Sequence, residues 1–369
     1  MLRVAVDLTS LLTPLTGVGL FAAEMTCRLA ARDDMALTGF AVTWRGRGRL
    51  RDAAPAGVAV VDRRMAARPL RRLWVRSDHP LIDRWIGRHD VVWGPNYVSP
   101  PSRAGALMSV HDLTTVHFPQ LATADTLDYP ALIRRALARG AWVHTPSEFV
   151  RTEVIDHFGV EPARVVAVPL GVRPTRPGDA ARGRRLAGAD RYVLALGTVE
   201  PRKDLPTLVR AFDELADDDP DLRLVVAGPD GWGAESLAEA IAAARHRDRI
   251  VRLGWVTDAD RDALLRGCAV YAFPSIYEGF GFPPLEAMSA GVPVVTTDTG
   301  SLPEVAGPGA ALVPVGDPGA LAAALAQVLS DDDHRHDLVA RGREVVARYS
   351  WDAAADRFAD LLPRVATGA

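Results

Sequence analysis

The sequence predicts an α/β protein made of two doubly wound, Rossmann-like domains, each built on a parallel sheet. Its 369 residues are more than one hydrophobic core usually organises. From Tyr192 onward, short apolar runs alternate with helical patterns, as in successive βαβ units, and the first half repeats the scheme more loosely. Prolines, glycines and arginines interrupt the alternation at residues 169–190, where we place the domain boundary.

The individual elements follow from the spacing of apolar residues. Strands of the first domain are predicted at residues 2–7, 37–42, 58–61, 91–93, 107–110, 142–145 and 165–168. Strands of the second domain are predicted at 192–196, 223–227, 250–253, 269–273, 292–296 and 311–313. Its helices are predicted at 205–215, 234–245, 258–266, 283–290 and 321–329. Ser350 suits the N-cap of a final helix, which we expect to cross back to the first domain. The predicted domains are therefore 1–170 with 351–369, and 171–350.

Composition and charge exclude several classes of protein. With 48% hydrophobic and 24% charged residues, the chain is expected to be soluble and globular, and its net charge of −3 argues against general nucleic-acid binding. Cys27 and Cys268 form neither a disulfide framework nor a metal knuckle. No apolar run is long enough to cross a bilayer, and the first residues enter a strand without a signal-peptide pattern, so we expect a cytoplasmic protein.

The segment from Arg45 to Arg76 is unusually basic, with ten arginines against Asp52 and Asp62. One interpretation is a solvated loop and helix face. The other is a patch for anionic lipid or an anionic acceptor, which would place the protein peripherally at the inner face of the membrane. The sequence leaves both interpretations open, as it does the oligomeric state.

The most informative stretch is Glu278-Gly-Phe-Gly-Phe-Pro-Pro-Leu-Glu286, which follows a predicted strand and enters a helix with proline in its first turn. Gly279 and Gly281 allow backbone N–H groups to approach a ligand closely, and the helix N-terminus favours a negative charge such as a diphosphate. A carboxylate does not pair with a phosphate. We therefore expect Glu278 and Glu286 to accept hydrogen bonds from ligand hydroxyls.

Two further strand ends of the second domain carry candidate binding residues. Arg202 and Lys203 stand just before a predicted helix, where they suit a diphosphate clamp. Trp255 and Val256 can form the walls of a base pocket. Asp258 can accept from the N1–H and amino groups of guanine, a pairing that uracil cannot offer. Asp258 is equally suited to cap the next helix, and the two roles are compatible.

In the first domain, Gly17 and Gly19 match the spacing of a dinucleotide fingerprint. We reject that interpretation because the preceding loop is too long, and because Asp33 and Asp34 precede the second predicted strand instead of following it. Contact of the Gly17 and Gly19 amides with a phosphate remains an alternative.

His111 ends another strand of the first domain, and we expect it to contact substrate with Asp112 able to orient its ring. Asn96 and Tyr97 also follow a strand and offer amide, phenol and aromatic surface for a sugar acceptor, although a rigid turn explains them equally well. His144 is a less favoured candidate.

With these motifs assembled, the chain resembles the retaining GT-B glycosyltransferases of family 4, and within them the bacterial mannosyltransferase-like branch. The resemblance spans nearly the whole chain. It rests on the Glu-x7-Glu element and on Gly197-Thr-Val-Glu-Pro-Arg-Lys203, Gly291-Val-Pro-Val-Val295, Gly300-Ser-Leu-Pro-Glu304 and Ser109-Val-His-Asp112. It implies an acceptor-side first domain and a donor-binding second domain facing each other across a cleft.

The resemblance also implies roles for single residues. Glu278 would contact the donor sugar and Glu286 the nucleotide ribose, while Arg202 and Lys203 would hold the diphosphate. His111 would sit at the reacting sugar. The implied donor-binding set is Gly17, Gly19, Val256, Asp258, Gly279, Phe280, Gly281, Phe282, Leu285 and Glu286. Many members carry an additional arginine where this chain has Gly197-Thr198, which leaves the clamp to Arg202 and Lys203.

The resulting prediction is a retaining α-mannosyltransferase that moves mannose from GDP-mannose to an oligosaccharide, polysaccharide or glycolipid acceptor. The nearest alternative is an α-glycosyltransferase that uses UDP-glucose or UDP-N-acetylglucosamine. Alternatives of other classes are a non-catalytic protein that binds nucleotide sugars and an NAD-dependent oxidoreductase. The Asp-x-Asp strings look like caps or surface turns, so we expect no obligatory metal or cofactor beyond the donor.

Overall fold

The computed structural model describes residues 1–13, 16–46, 48–123, 126–175 and 179–368. The chain forms two compact units: Met1–Gly171 together with the C-terminal segment from Ser350, and Val172–Tyr349. Each unit surrounds one parallel sheet, which confirms the predicted fold class. Across these residues, no helix is both long enough and apolar enough to span a membrane.

The first unit contains a seven-stranded sheet whose paired strands all run parallel. Its strands are β1 (Leu2–Asp7), β2 (Met35–Phe40), β3 (Ala59–Val61), β4 (Val91–Gly94), β5 (Gly105–Ser109), β6 (Trp142–Thr145) and β7 (Val165–Ala167). The order β3-β2-β1-β4-β5-β6-β7 reverses between β1 and β4. Ligands of doubly wound sheets bind beyond the carboxyl ends of the strands at such a reversal.

Helices cover the faces of this sheet. They are α1 (Gly17–Ala30), α2 (Arg49–Ala53), α3 (Ala67–Arg76), α4 (Asp83–Ile86), α5 (Thr114–His117), α6 (Tyr129–Ala138), α7 (Glu148–Phe158) and the C-terminal α16 (Trp351–Thr367). The Ser350 hydroxyl accepts from the Ala353 N–H at the start of α16, as predicted. α16 packs beside α1, where Arg28 pairs with Asp352 at 2.6 Å.

An aromatic core fixes α16 to the first unit. The Trp93 ring on β4 lies 5.7 Å from Phe21 of α1 and 4.6 Å from Phe358 of α16. All three side chains are fully buried. Burying such a side chain is worth about 2 kcal/mol, which far exceeds the value of the exposed ion pairs on the same helix.

The second unit contains a six-stranded parallel sheet. Its strands are β8 (Tyr192–Leu196), β9 (Arg223–Ala227), β10 (Ile250–Gly254), β11 (Val270–Phe273), β12 (Val294–Thr297) and β13 (Ala310–Val313). The order β10-β9-β8-β11-β12-β13 reverses between β8 and β11. The helices are α8 (Ala180–Ala187), α9 (Leu205–Asp218), α10 (Ala234–Ala243), α11 (Asp258–Gly267), α12 (Phe282–Ser289), α13 (Leu302–Val305), α14 (Pro318–Ser330) and α15 (Asp332–Val346).

All thirteen predicted strands are present to within two residues at either end, but α8, α13 and α15 of the second unit were not predicted. The sequence of α8 lies in the stretch interpreted as a break, part of which (Pro177) falls outside the described residues. α8 packs closely against α11 because both helices carry glycine at the contact. A Cβ on Gly183 would lie 2.1 Å from the Ala263 carbonyl oxygen, and one on Gly267 would lie 2.8 Å from that of Ala180. In a sequence, glycine usually indicates a loop. Here the absence of side chains at these two glycines permits the close contact between the two helices.

Candidate active site

The loops after β8 and β11 flank the reversal of the second sheet, and together they carry three charged residues predicted for the site. Arg202 and Lys203 form a short 3-10 turn before α9. Glu278 lies in the loop that leads from β11 into α12, and Glu286 lies on α12. The structure therefore brings together Arg202, Lys203 and Glu278, although Glu278 follows Lys203 by 75 positions.

Glu278 forms a buried ion-pair cluster with both cations. One carboxylate oxygen lies 2.6 Å from Lys203 Nζ, and the other lies 2.7 Å from a guanidinium nitrogen of Arg202. Arg202 also pairs with Glu200 at 2.8 Å and donates to the Tyr277 carbonyl at 2.8 Å. Only 9% of the Glu278 side chain is exposed. Arg202 and Lys203, which are predicted to bind the diphosphate, are thus paired with carboxylates of the protein itself.

Burial and charge act in opposite directions on this cluster. Burial alone would raise the pKa of the Glu278 carboxyl, but the charges and hydrogen bonds of Arg202 and Lys203 lower that pKa to about 2. Burial lowers the pKa of the Lys203 ammonium, and the Glu278 carboxylate opposes that effect. Lys203 Nζ also lies 4.5 Å from the ring centroid of Phe273, a favourable cation–π contact. Glu278 is therefore a carboxylate at neutral pH.

The loop after β12 holds the Glu278 backbone in place. The Ser301 N–H donates to the Glu278 carbonyl at 2.9 Å, and Thr299 Oγ1 donates to the Ile276 carbonyl at 3.1 Å. Gly300 has a φ of +58°, and a Cβ there would lie 2.5 Å from the Glu278 carbonyl oxygen. Only glycine fits this position without displacing Glu278. The close approach to Glu278 explains why the Gly300-Ser-Leu-Pro-Glu304 motif begins with glycine.

α12 starts directly after Gly281, whose φ is +97°. Because glycine has no side chain, it gives the N-terminal N–H groups of α12 no side-chain cap. Phe280 is 5% exposed and packs edge-on against Phe282 and Tyr349, at 5.1 and 5.5 Å between ring centroids. Leu285 is fully buried. Phe280 and Leu285 therefore support the loop and helix through packing.

Glu286 has a looser environment than Glu278. Its side chain is 17% exposed and lies 3.9 Å from Arg261 of α11, and the charge of Arg173 also acts on it. Burial raises the pKa of the Glu286 carboxyl, and the charge of Arg261 opposes the rise. A separation of 3.9 Å is beyond hydrogen-bonding distance. The Glu286 oxygens are therefore less committed to protein partners than those of Glu278.

The structure corrects the capping role considered for Asp258. The N-cap of α11 is Thr257, whose hydroxyl accepts from the Asp260 N–H at 3.1 Å. Asp258 is the first helical residue; its side chain is 72% exposed and lies 3.9 Å from Arg261. Val256 is partly buried, whereas Trp255 is 69% exposed. The Asp258 carboxylate is thus open to solvent and is not used by the cap.

In the first unit, the predicted residues lie on α1 and on the loops that follow β4 and β5, near the reversal between β1 and β4. Gly17 and Gly19 occupy the first turn of α1, with Gly17 exposed and Gly19 buried. Asn96 and Tyr97 follow β4 and are partly buried. Tyr97 has a φ of +59°, which is uncommon for a residue other than glycine, and its N–H donates to the Ser109 carbonyl at 2.9 Å. Such strained backbone is concentrated at functional sites.

His111 is oriented by a backbone carbonyl, which corrects the prediction that Asp112 orients it. Nε2 of His111 lies 2.7 Å from the Pro95 carbonyl oxygen and donates to it, while Asp112 Oδ1 accepts from the Thr114 N–H at 2.9 Å. Burial lowers the pKa of His111, with Pro95 and Asp112 opposing the shift. The ring is therefore neutral at pH 7, and Nδ1 carries the lone pair that can accept a hydrogen bond.

His144 has a structural role in the core of the first unit. It is fully buried, and its two ring nitrogens lie 3.0 Å from Ser109 Oγ and from the Val168 carbonyl oxygen. Burial lowers its pKa to about 3, so the ring stays neutral. These contacts leave it no free ring nitrogen for a substrate.

Sequence reasoning missed Glu200 and Arg261, the charged neighbours of the clamp and of Glu286. Glu200 lies two residues before Arg202, and Arg261 lies one helical turn after Asp258. Helical i,i+3 spacing was the available signal for Arg261, whereas no spacing rule indicates the pair of Glu200 and Arg202. Within the described part of the chain, no group of three or more His, Cys, Asp or Glu side chains is placed to hold a metal ion.

Two family models match the chain: "Glycosyl transferases group 1" at residues 180–362 and "Glycosyltransferase Family 4" at residues 15–176. O-antigen chain mannosyltransferase B of Escherichia coli is 30% identical over 358 residues, covering 92% of this chain and 93% of the relative. Phosphatidyl-myo-inositol mannosyltransferase of Mycobacterium leprae is 36% identical over 209 residues, covering 55% and 54%. Sucrose-phosphate synthase of Thermosynechococcus elongatus is similar in fold, with a TM-score of 0.79, 19% identity and 100% coverage of both chains.

The two doubly wound sheets and this structural likeness define the GT-B class of folds. The chain belongs to glycosyltransferase family 4. It is a glycosyltransferase, and the family and enzyme class predicted from the sequence are confirmed.

Proposed function

We propose that this glycosyltransferase moves mannose from GDP-mannose to a saccharide or glycolipid acceptor with retention of the anomeric configuration. The observation that carries the proposal is the buried cluster of Arg202, Glu278 and Lys203 at the reversal of the second sheet. A carboxylate suits sugar hydroxyls, and two cations suit a diphosphate. The mannosyl assignment is supported by the mannosyltransferase relatives of Escherichia coli and Mycobacterium leprae.

The charges of the cluster suit departure of a nucleoside diphosphate. In the proposed reaction, the bond between the anomeric carbon and the diphosphate oxygen breaks, and its electron pair stays on that oxygen. Arg202, Lys203 and the N-terminus of α12 stabilise the developing charge. The acceptor hydroxyl oxygen bonds to the anomeric carbon on the face that the diphosphate leaves, and its proton passes to the departing phosphate.

Two carboxylates would recognise the nucleoside. Glu286 would accept from ribose hydroxyls, since Arg261 lies 3.9 Å away, beyond hydrogen-bonding distance. Asp258, exposed at the start of α11 beside Val256, would accept from the N1–H and amino groups of guanine. Uracil has no amino group to satisfy the second carboxylate oxygen, which supports GDP over UDP.

Residues of the first unit would serve the acceptor and the reacting sugar. The neutral His111 ring presents Nδ1 as an acceptor for a sugar hydroxyl, while Asn96 and Tyr97 offer amide and aromatic surface. Gly17 and Gly19 place first-turn N–H groups of α1 at the reversal of the first sheet, where they would face donor phosphates.

The test is calorimetric titration of the purified chain with GDP, UDP and NAD without added metal, followed by transfer assays with the matching sugar donor. Preference for GDP and an α-linked mannoside product, identified by NMR, would support the proposal. Preference for UDP would favour a glucosyl or N-acetylglucosaminyl donor. Binding without transfer to any mannoside or glycolipid would favour a non-catalytic protein.

Glu286→Ala supplies a sharper test, with Glu239→Ala at an exposed position of α10 as the control. Loss of a buried carboxylate that binds ribose should reduce kcat/KM by more than about tenfold, or 1.4 kcal/mol. A smaller loss, or an equal loss in the control, would contradict the assignment.

We also propose that the basic face of α3 contacts a membrane surface that carries the acceptor. Arg68, Arg72 and Arg76 are exposed on α3 together with Leu73, which is 49% exposed, whereas Trp74 is buried beneath them. Cations around an exposed apolar side chain suit an interfacial helix on anionic lipid.

The ten arginines predicted as one patch are not all part of this face. Arg49 donates to the Leu12 carbonyl, Arg71 lies over the Tyr129 ring at 5.8 Å, and Arg47 falls outside the described residues. Co-sedimentation with vesicles tests the proposal. We expect binding to anionic but not to zwitterionic vesicles, and loss of binding when the three exposed arginines of α3 are replaced by glutamine. Equal binding to both vesicle types would contradict it.

A further inference from the structure

The second unit contains a basic cavity of about 450 Å³ at the edge of its sheet opposite the donor loops. Residues just before β8, β11 and β12 line it, whereas the donor loops follow the carboxyl ends of these strands. Its lining contains four arginines and one histidine: Arg191, Arg266, Arg335, Arg343 and His336. None of the described lining residues is acidic.

Two of these arginines already have carboxylate partners. Arg191 pairs with Asp219 and Arg335 with Asp332, each at 2.7 Å. A charge satisfied in this way adds little attraction for a ligand.

Arg343 is different, and it gives the cavity its unbalanced charge. It is exposed on α15, and its guanidinium has neither an ion pair nor a hydrogen bond to any residue in the described ranges. A guanidinium nitrogen of Arg343 lies 3.7 Å from the Cβ position built on Gly291, just past the end of α12. Its position beside a helix C-terminus is favourable in itself, but no carbonyl accepts from it there.

We propose that this cavity binds the phosphate or diphosphate group of a small molecule at a site separate from the donor site. Planar guanidinium groups match phosphate oxygens, and four of them line one cavity. The volume falls in the range of small-molecule pockets, about 300–1,000 Å³, so a phosphorylated sugar or a nucleotide fits as well as phosphate alone.

Hydrogen bonds connect the cavity to α12. Arg266 donates to the Thr175 carbonyl at 3.1 Å, and Thr175 Oγ1 donates to the Glu286 carbonyl at 3.1 Å. An anion that attracts the Arg266 guanidinium would weaken or shift its hydrogen bond to Thr175. Because Thr175 donates to the Glu286 carbonyl, the position of that part of α12 would change as well. Binding in the cavity is therefore expected to change nucleotide affinity, a consequence that rests on the proposed donor role of Glu286.

The experiment titrates pyrophosphate into the whole chain after saturation with the nucleoside diphosphate that binds, so that the donor site is filled. We expect saturable heat in the wild type and a loss of affinity of about tenfold or more in Arg343→Gln. The matched control is Arg341→Gln on the same helix, because Arg341 pairs with Asp337 at 2.6 Å and does not line the cavity. Circular dichroism checks that both variants are folded.

Three results would overturn the inference: no heat in the wild type, full binding by Arg343→Gln, or equal loss in both variants. Arg343→Met provides a second variant without the guanidinium if Arg343→Gln proves unstable, with the same expected loss. If no nucleoside diphosphate binds, pyrophosphate is titrated into the free chain. The affinities of Arg343→Gln and Arg341→Gln are then compared with that of the wild type under the same criteria. Failure of the proposed function is therefore distinguishable from failure of this site.

Discussion

Glu278→Gln is the substitution that most directly tests the physics of the candidate site. Glu200, Glu278, Arg202 and Lys203 sum to zero charge, and the variant removes one negative member. Arg202 keeps Glu200 at 2.8 Å. Lys203, by contrast, loses the carboxylate at 2.6 Å while staying 13% exposed, and becomes a buried cation without that partner.

The expected loss follows from the pKa of Glu278. A fall from the ordinary 4.5 to about 2 corresponds to about 3 kcal/mol of stability. Removal of one partner of a buried ion pair lowers the stability of a protein by a similar amount, about 3–5 kcal/mol. Because the folded-state pKa lies below the unfolded one, the contribution is complete above about pH 4.5 and is lost as the pH falls toward about 2. The difference between wild type and variant should therefore be largest at neutral pH and shrink below about pH 4.5.

Urea unfolding followed by circular dichroism measures the effect. Glu278→Gln should lose about 3 kcal/mol at pH 7, whereas Glu239→Gln, exposed on α10, should stay within about 0.5 kcal/mol of the wild type. The double variant with Lys203→Met should regain at least about 1 kcal/mol relative to Glu278→Gln, because it removes the unpaired ammonium. A loss below about 1 kcal/mol, or a double variant no more stable than Glu278→Gln, would refute the ion-pair reasoning.

The remaining predictions concern backbone fit, protonation and base recognition. Gly300→Ala should destabilise the fold by about 2 kcal/mol or more and reduce transfer, because of its φ of +58° and a 2.5 Å contact with the Glu278 carbonyl; a urea midpoint equal to the wild type would contradict this. Burial holds the pKa of His111 below its ordinary 6.5, so less than half of the ring is protonated at pH 6.5 and the rate should fall by less than about twofold between pH 8 and pH 6.5; a larger fall in the wild type that is absent in His111→Asn would show otherwise. Asp258→Asn should weaken GDP about tenfold and leave UDP unchanged by calorimetry, and an equal effect on both nucleotides would argue against guanine recognition.

The sheets could be predicted from the sequence because buried parallel strands are continuous apolar runs, as in Tyr192–Leu196. The same logic failed for α8, where arginines and a glycine hide a helix whose close contact with α11 depends on the absence of a side chain at Gly183. Helix ends were uncertain for a related reason. Thr257 and Asp258 are both good caps by residue type, and only backbone geometry shows that Thr257 is used.

The candidate site was predictable in location but not in its internal contacts. Residues at carboxyl ends of neighbouring strands had to meet at one edge of the sheet, which places Arg202 and Lys203 near Glu278. The sequence does not show that these charges pair with one another, since that depends on loop conformation. The same limit explains His111, which is oriented by the Pro95 carbonyl, a group that every residue type carries.

The neutral cluster around Glu278 has a consequence for the order in which parts of a donor are recognised. On the proposed assignment, both Glu278 oxygens are occupied by Lys203 and Arg202 until a diphosphate attracts these cations. The carboxylate then becomes able to accept from a hexose. A free sugar would find both Glu278 oxygens paired with cations. The same sugar attached to its nucleotide brings a diphosphate that attracts these cations and frees the carboxylate. The enzyme would in this way distinguish an activated sugar from an unactivated one before any chemistry occurs.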